Sequence, residues 1–125
     1  MSFCTAINCM DGRVQLPVIR FLQQRFNVDY VDCITEAGPV RIFDKIADLM
    51  ALNSIFTHIN RSLNCHDSRV IAICAHADCD DNPEDETTQK QQLRRAVIFL
   101  KESYRDKEVV GIWVDENQTV SEIAS

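Results

Sequence analysis

One continuous apolar run narrows the choice of fold more than any other part of the sequence. It is Val70-Ile71-Ala72-Ile73-Cys74, and His76 and Cys79 follow it closely. A strand that is apolar on both faces is typical of the interior of a parallel sheet, where helices cover both sides. A second short apolar run, 3–8, ends before the turn at Asp11-Gly12. The sequence therefore predicts buried strands with polar residues at their carboxyl ends.

Strand-like and helix-like segments alternate along the whole chain. Strands are predicted at 3–8, 28–34, 69–75 and 108–114, with a short antiparallel edge strand at 119–123 after a hairpin turn. A first helix is predicted with Pro17 at an early position and its end near Asn27, and its apolar face is expected to carry Leu16, Ile19, Leu22 and Phe26. Further helices are predicted over 41–63, with Asn53-Ser54 as the weak point, and after a cap at Thr87 or Thr88. The predicted fold class is α/β, a single domain over 1–125 with a mostly parallel central sheet of about four strands and flanking helices.

Three potential metal ligands follow predicted strands. Cys9 comes after the first strand, and His76 and Cys79 come after the third. Because the carboxyl ends of parallel strands share one edge of a sheet, we expect these side chains to meet although 67 positions separate the first two. Two thiolates and an imidazole suit one zinc ion per chain and leave a fourth position open. A water there would have its pKa lowered from about 16 towards about 7.

Charge and cysteine content limit the partners and the compartment. The net charge is −6 and the basic residues are scattered among acidic ones, so we expect no nucleic-acid partner. No apolar run reaches the length of about 18 residues that a membrane span needs, and no basic leader precedes the first strand, so a cytoplasmic protein without a membrane partner is predicted. The six cysteines are expected to be metal ligands or buried free thiols and not to form disulfides. Those outside the metal motif in apolar runs, Cys4, Cys33 and Cys74, are predicted to be buried.

The motifs Cys9-x-Asp11-x-Arg13 and His76-x-x-Cys79, with Glu36-Ala37-Gly38 between them, resemble those of the β-class carbonic anhydrases. The order of strands and helices and the final strand and turn at 110–115 extend this resemblance over nearly the whole chain. The family's zinc is held by two cysteines and one histidine. The resemblance therefore implies that the zinc ligands are Cys9, His76 and Cys79.

The resemblance also implies roles for residues beside the metal. Asp11 and Arg13 are the expected catalytic pair, and Ala37 and Gly38 are expected to form part of the substrate-pocket wall. The implied reaction is attack of zinc hydroxide on carbon dioxide, a small-molecule substrate, to give bicarbonate. If Arg13 releases Asp11, the family's behaviour implies that this carboxylate can occupy the fourth zinc position.

Departures from the family's usual residues leave other functions open. Gly12 stands where the family usually has Ser, Asp80 where it usually has Gly, and Thr35 to Pro39 replaces an Arg-Asn-Ala-Gly-Asn loop. The alternatives are a zinc hydrolase of carbonyl sulfide or carbon disulfide, and a zinc-binding relative without catalysis. We expect a homodimer or higher homo-oligomer. Because the family's N-terminal helical arm is not recognised in this sequence, the subunits are expected to meet through a smaller or different surface.

Four other interpretations of motifs are less favoured. Cys65-His66 could join a second metal site, but it precedes the third strand and is expected at the opposite edge of the sheet from His76. His58 is expected to be an ordinary helical histidine. The acidic run 78–86 lacks the spaced ligands of a calcium loop. A thiolate phosphatase or sulfurtransferase built on 9–13 is disfavoured because the loop is short and Asp11 would repel an oxyanion.

Overall fold

The computed structural model describes residues 1–45 and 48–125. Within these ranges the strands are β1 (Phe3–Cys9), β2 (Tyr30–Glu36), β3 (Val70–His76), β4 (Glu108–Val114) and β5 (Val120–Ala124). The helices are α1 (Gln15–Phe26), which follows a 3₁₀ turn at Gly12–Val14, and then α2 (Pro39–Lys45), α3 (Leu49–His66) and α4 (Glu86–Ser103). The sheet order is β2-β1-β3-β4-β5, and only β5 is antiparallel to its neighbour. The predicted fold class is confirmed.

β3 is buried along its whole length and separates two apolar layers. Ile71 and Ile73 pack on one face, which α2, α3 and α4 cover. Ala72 and Cys74 pack on the other face, which α1 covers. The alternation follows from the period of two along a strand. β3 is thus a central strand covered on both faces. Its last residue, His76, lies at the carboxyl edge of the sheet.

The prediction of one long helix over 41–63 is wrong, because two helices occupy this region. α2 ends at Lys45, and α3 begins at Leu49 after Asp48, whose Oδ1 accepts a hydrogen bond from the Ala51 N–H at 3.0 Å. Such a cap satisfies a free N–H of the first helical turn and fixes the start of the helix. The expected weak point at Asn53-Ser54 is continuous helix. Ile46 and Ala47, which the prediction included, lie outside the described residues.

The second strand lies two residues later than predicted. Asn27 ends α1 in a left-handed conformation with φ of 52°, and the N–H groups of Asp29 and Tyr30 then bond to the Ser2 carbonyl. These bonds fix the register, so that Thr35 and Glu36 belong to β2 and not to the following loop. Because β2 is an edge strand, Cys33 is exposed, and the prediction that it is buried is wrong. Cys4 and Cys74 are buried as predicted.

Two helices differ from prediction in detail. α1 buries Val18 and Leu22, whereas Leu16, which the helical spacing places on the apolar face, is 58% exposed. α4 is capped not by a threonine but by Asp85, whose carboxylate accepts from the Thr88 N–H at 2.8 Å. Within the described ranges, none of the helices combines the length and apolar character that a membrane crossing requires.

Candidate metal centre

Three ligand-type side chains converge at the carboxyl edge of the sheet. Cys9 ends β1, His76 ends β3 and Cys79 lies in the turn that follows, and all three are buried. Their donor atoms lie within 4.8 Å of one another, and the two sulfurs are 3.9 Å apart. Two sulfurs bound to a tetrahedral zinc at about 2.3 Å would stand about 3.8 Å apart. The spacing of the thiols therefore fits this ion.

The imidazole of His76 uses one ring nitrogen in a hydrogen bond, and its other ring nitrogen makes none within the described part of the chain. Its Nδ1 lies 2.8 Å from the carbonyl oxygen of Ala77 and, as the donor in this bond, leaves Nε2 as the nitrogen with a lone pair. Nε2 is buried and has no hydrogen-bond partner in the described part of the chain. A buried polar atom without a partner costs about 1–3 kcal/mol unless a ligand satisfies it. A backbone carbonyl on the far nitrogen is typical of metal-bound histidines.

The two thiols share a hydrogen bond that shifts their pKa values in opposite directions. The pKa of Cys9 is lowered mainly because the Cys79 thiol donates a hydrogen bond to its sulfur, with further help from the backbone N–H groups of Gly38 and Asp11. The pKa of Cys79 is raised because the Cys9 thiolate retains that proton. A thiolate is the form that binds a metal. A divalent cation could thus replace the shared proton.

Asp11 and Arg13 form an ion pair beside the three ligands. Arg13 Nη2 lies 2.6 Å from Asp11 Oδ2, and Arg13 Nε lies 3.1 Å from Oδ1. Hydrogen bonds from this guanidinium lower the pKa of Asp11 to about 2. Asp11 is therefore a carboxylate in all but strongly acidic solution, and its charge faces His76.

Arg13 has a second partner, which the sequence did not reveal. Its Nη1 lies 3.1 Å from Asp78 Oδ2, and its Nη2 donates to the Asp78 backbone carbonyl at 3.0 Å. Asp78 adopts a left-handed conformation with φ of 57°, in the turn between His76 and Cys79. The sequence indicated only that this residue adds negative charge to the loop. Nothing in the motif spacing predicts that its backbone turns towards Arg13.

Gly38 acts as a close-packing point, and its place in a substrate pocket stays a prediction. Its φ is +56°, and a Cβ there would lie 3.1 Å from the Asp81 carbonyl oxygen. The β2–α2 connection therefore packs tightly against the turn that carries Cys79. Neither Ala37 nor Gly38 borders the cavity of about 160 Å³ beside His76, whose described lining includes Arg13 and the turn at 115–118. The sequence predicted that turn but not its place beside the site.

Buried amides support the turn that carries Cys79. Asn82 donates from its backbone to the Cys79 carbonyl at 3.3 Å, and from its side chain to Gln92 Oε1 at 2.7 Å. Gln89, one turn earlier on α4, donates to the Glu84 carbonyl. The sequence carries one signal for this support, because Gln89 and Gln92 lie on the same buried face of α4 as Leu93. Amides on a buried face need partners, and a loop supplies them.

The second cysteine–histidine pair lies at the other end of the sheet, as predicted. His66 Nδ1 is 2.6 Å from Asp32 Oδ2, and its ring stacks on Phe3 with centroids 4.1 Å apart. Cys65 is exposed. In residues 1–45 and 48–125, the group Cys9, His76 and Cys79 alone brings three potential metal ligands together.

Comparisons with known proteins agree with this architecture. A family model described as "Putative carbonic anhydrase" matches residues 1–124. No match was found among curated proteins. A tetrameric β-carbonic anhydrase from Sordaria macrospora superposes with a TM-score of 0.64 at 14% identity, covering 98% of this chain and 80% of that one.

Two further solved structures are similar to this chain. The β-carbonic anhydrase isoform I of Trichomonas vaginalis has a TM-score of 0.59 at 17% identity, covering 97% of this chain and 82% of that one. A carbonic anhydrase from Glaciozyma antarctica has a TM-score of 0.60 at 16% identity, covering 96% of this chain and 81% of that one. At such identities the superpositions show a shared fold.

Proposed function

Because this chain belongs to the carbonic anhydrase family whose model it matches and has the β-class fold, we propose that it hydrates carbon dioxide to bicarbonate with one zinc ion. The observation that carries the proposal is the buried group of Cys9, His76 and Cys79, with donor atoms within 4.8 Å of one another. Two thiolates and one imidazole are a donor set that favours zinc, and three protein ligands leave a position for water.

Each residue of the site has a distinct part in this reaction. When bound, zinc would act as a Lewis acid and lower the pKa of a water molecule to about 7. Cys9 and Cys79 would hold the ion as thiolates, and His76 would offer Nε2 while Ala77 fixes the ring. Asp11 would accept a hydrogen bond from the attacking water and orient its lone pair towards the carbon of the substrate.

Arg13 keeps Asp11 available for that role. The guanidinium holds the Asp11 carboxylate ionised and directs it, through hydrogen bonds of 2.6–3.2 Å. Asp78 holds the opposite side of the same guanidinium. The negative charges of Asp11 and Asp78 favour departure of an anionic product from the site. The proton released in the reaction would pass to solvent buffer.

We also propose that the protein self-associates as a homodimer or higher homo-oligomer. The Sordaria macrospora enzymes with the same fold are tetrameric. A small-molecule substrate is the partner that the site accommodates, and the proposal includes neither a nucleic-acid nor a membrane partner. The expected compartment is the cytoplasm.

Stopped-flow measurement of carbon dioxide hydration on zinc-loaded protein tests the proposal, together with zinc content. We expect turnover above the buffer rate, a loss of about 100-fold or more in Asp11→Asn with zinc retained, and loss of both zinc and turnover in Cys79→Ser. Cys33→Ser is the matched control, because its thiol lies outside the group, and it should keep both.

Three results would overturn the proposal or part of it. Zinc binding with no hydration above background would indicate a binding protein, and hydrolysis of carbonyl sulfide or carbon disulfide in its place would assign the related reaction. An Asp11→Asn variant as active as the unaltered chain would remove the role given to that carboxylate.

A further inference from the structure

The guanidinium of Arg13 is held along two of its edges. Along one edge, Nε and Nη2 bond to the carboxylate of Asp11 at 2.6–3.2 Å. Along the other edge, Nη1 lies 3.1 Å from Asp78 Oδ2, and Nη2 donates to the Asp78 carbonyl oxygen at 3.0 Å. Because a guanidinium is planar and its donors have fixed directions, bonds on two edges leave it little freedom to turn. Arg13 thus connects two carboxylates.

The two partners of Arg13 stand at different distances along the chain. Asp11 is two residues away in the same loop, so this pair can shift as one unit. Asp78 is 65 positions away and lies in the turn between His76 and Cys79. The bonds to Asp78 therefore tie the pair to the turn that carries two of the three candidate metal ligands.

The turn that carries Asp78 is itself fixed to the sheet. The Ala77 N–H donates to the Val114 carbonyl of β4 at 2.9 Å, and the Ala77 carbonyl oxygen lies 2.8 Å from His76 Nδ1. Asp78 follows with φ of 57°, in a left-handed conformation that aspartate tolerates better than most residues. In this conformation its carbonyl and its carboxylate both reach Arg13. The position of Arg13 is therefore set relative to the metal ligands.

The contact between Arg13 and Asp78 lies at the site and adds little to stability. Both residues border the cavity of about 160 Å³ beside His76. Their side chains are 49% and 77% exposed, and ion pairs this exposed contribute little to the free energy of unfolding. The main effect of the contact is geometrical, because it limits where the guanidinium, and with it Asp11, can lie.

We propose that Asp78 is a positioning residue for carbon dioxide hydration, because through Arg13 it fixes the Asp11 carboxylate relative to the metal ligands. The inference rests on the proposed function, in which Asp11 accepts a hydrogen bond from the attacking water. A displacement of about 1 Å in an orienting group can cost about 100-fold in rate. Without the Asp78 carboxylate, only the bond to the backbone carbonyl remains of the two described between this turn and Arg13. The pair of Asp11 and Arg13 then moves more freely.

Three variants separate the carboxylate of Asp78 from its backbone and its charge. Asp78→Gly removes the side chain and keeps the carbonyl and the left-handed backbone, which glycine adopts readily. Asp78→Asn keeps an oxygen acceptor but loses the charge. Asp80→Asn is the matched control, because Asp80 is exposed just after Cys79, loses the same charge and takes part in none of the bonds described for Arg13.

The first measurement is the NMR spectrum of the nitrogen-labelled Arg13 side chain in the zinc-free full chain, which does not depend on turnover. Arg13→Met identifies the signals by their absence. In the unaltered chain Nη1 and Nη2 should give separate signals, since they have different acceptors. Asp78→Gly should speed exchange between them about fivefold or more, because loss of a charge-assisted hydrogen bond lowers the barrier to rotation. Asp78→Asn should show an intermediate rate, and Asp80→Asn should match the unaltered chain.

The second measurement is kcat/KM for carbon dioxide on zinc-loaded protein, together with zinc affinity from competition with a chromophoric chelator. Asp78→Gly should lower kcat/KM about tenfold and Asp78→Asn about threefold, because the attacking water is oriented less precisely. Zinc affinity should stay within about twofold of that of the unaltered chain, since all three ligands remain. Asp80→Asn should leave both quantities unchanged.

A double substitution tests whether Asp78 acts through Arg13. Arg13→Met removes the guanidinium and keeps a side chain of similar length. In that background Asp78→Gly should lower kcat/KM by less than about twofold further, because residues that act as one unit have non-additive effects.

Three outcomes would overturn the inference: unchanged exchange of the Arg13 signals in Asp78→Gly, a kcat/KM of Asp78→Gly equal to that of the unaltered chain, or an undiminished loss in the Arg13→Met background. A failure of the proposed function is distinguishable from these, because it appears in the unaltered zinc-loaded chain as an absence of turnover, and it would overturn the inference with it.

Discussion

The carboxyl and amino ends of the sheet each carry a histidine close to a cysteine in the sequence, yet among the described residues only the carboxyl end brings three potential ligands together. At the carboxyl end His76 lies buried, its Nε2 makes no hydrogen bond to any residue of 1–45 or 48–125, and two sulfurs lie within 4.8 Å of its donor atom. At the amino end His66 is held by Asp32 and Phe3, and Cys65 is exposed. The difference indicates that the position of a pair relative to the strand ends, and not its spacing in the sequence, determines whether ligand-type side chains converge.

Replacing each histidine in turn should give the largest contrast between the two ends. His76→Ala should weaken zinc binding by more than about 100-fold, since even partners of metal ligands contribute about 10–100-fold. His66→Ala should leave affinity and stoichiometry unchanged. Competition with a chromophoric chelator measures both. Equal losses in the two variants would remove the distinction drawn between the ends.

Metal removal should destabilise the chain through the carboxyl end alone. Zinc at 100 times its dissociation constant adds about 2.7 kcal/mol to the free energy of unfolding. Chelation should therefore lower the Tm by several degrees in scanning calorimetry. Cys65→Ser protein should respond like the unaltered chain, and Cys79→Ser protein should not respond. A chelator effect that persists in Cys79→Ser would place the ion elsewhere.

Close packing at the carboxyl end of the sheet can be tested by replacing a glycine with alanine. Gly38→Ala should lower the free energy of unfolding by about 1–2 kcal/mol or more, because alanine disfavours the left-handed backbone and its Cβ would meet Asp81 and Asn82. Gly12→Ala is the matched control, since its Cβ meets nothing within 4 Å. Urea denaturation of the zinc-free protein measures both. Similar losses in the two variants would contradict the packing role.

The smallest expected effect concerns the acid sensitivity of the carboxyl end. The pKa of Asp11 is about 2 in the folded chain, against an ordinary value of 3.8, so its pairing stabilises the fold above about pH 4 and is lost as pH falls towards 2. Solvent screens a pair this exposed, so its contribution to the free energy of unfolding is small. The free energy of unfolding of the zinc-free protein, measured by urea denaturation, should fall between pH 5 and 2.5. Asp11→Asn should remove the part of this fall that comes from protonation of Asp11. An unchanged pH dependence would contradict this pairing.

The succession of strands and helices along the chain could be anticipated from the apolar runs. The convergence of Cys9 with His76 and Cys79 could be anticipated from the geometry of parallel sheets. Helix boundaries were missed where a single cap, such as Asp48, overrides an apolar period. The exposure of Cys33 depends on which strand lies at the edge, and that is decided by long-range pairing. The hydrogen bonds between Asp78 and Arg13 depend on the left-handed backbone conformation of Asp78 itself, and no local sequence pattern predicts that conformation.

The bond from His76 Nδ1 to the carbonyl of Ala77 has a consequence for sequence divergence. The group that selects the tautomer of this imidazole is a peptide carbonyl, which every residue type provides. Substitution at position 77 can alter packing, but it does not delete the acceptor. Substitution of the side chain at position 77 therefore does not change the tautomer of His76. Neighbouring side chains can change while Nε2 stays the nitrogen with the lone pair.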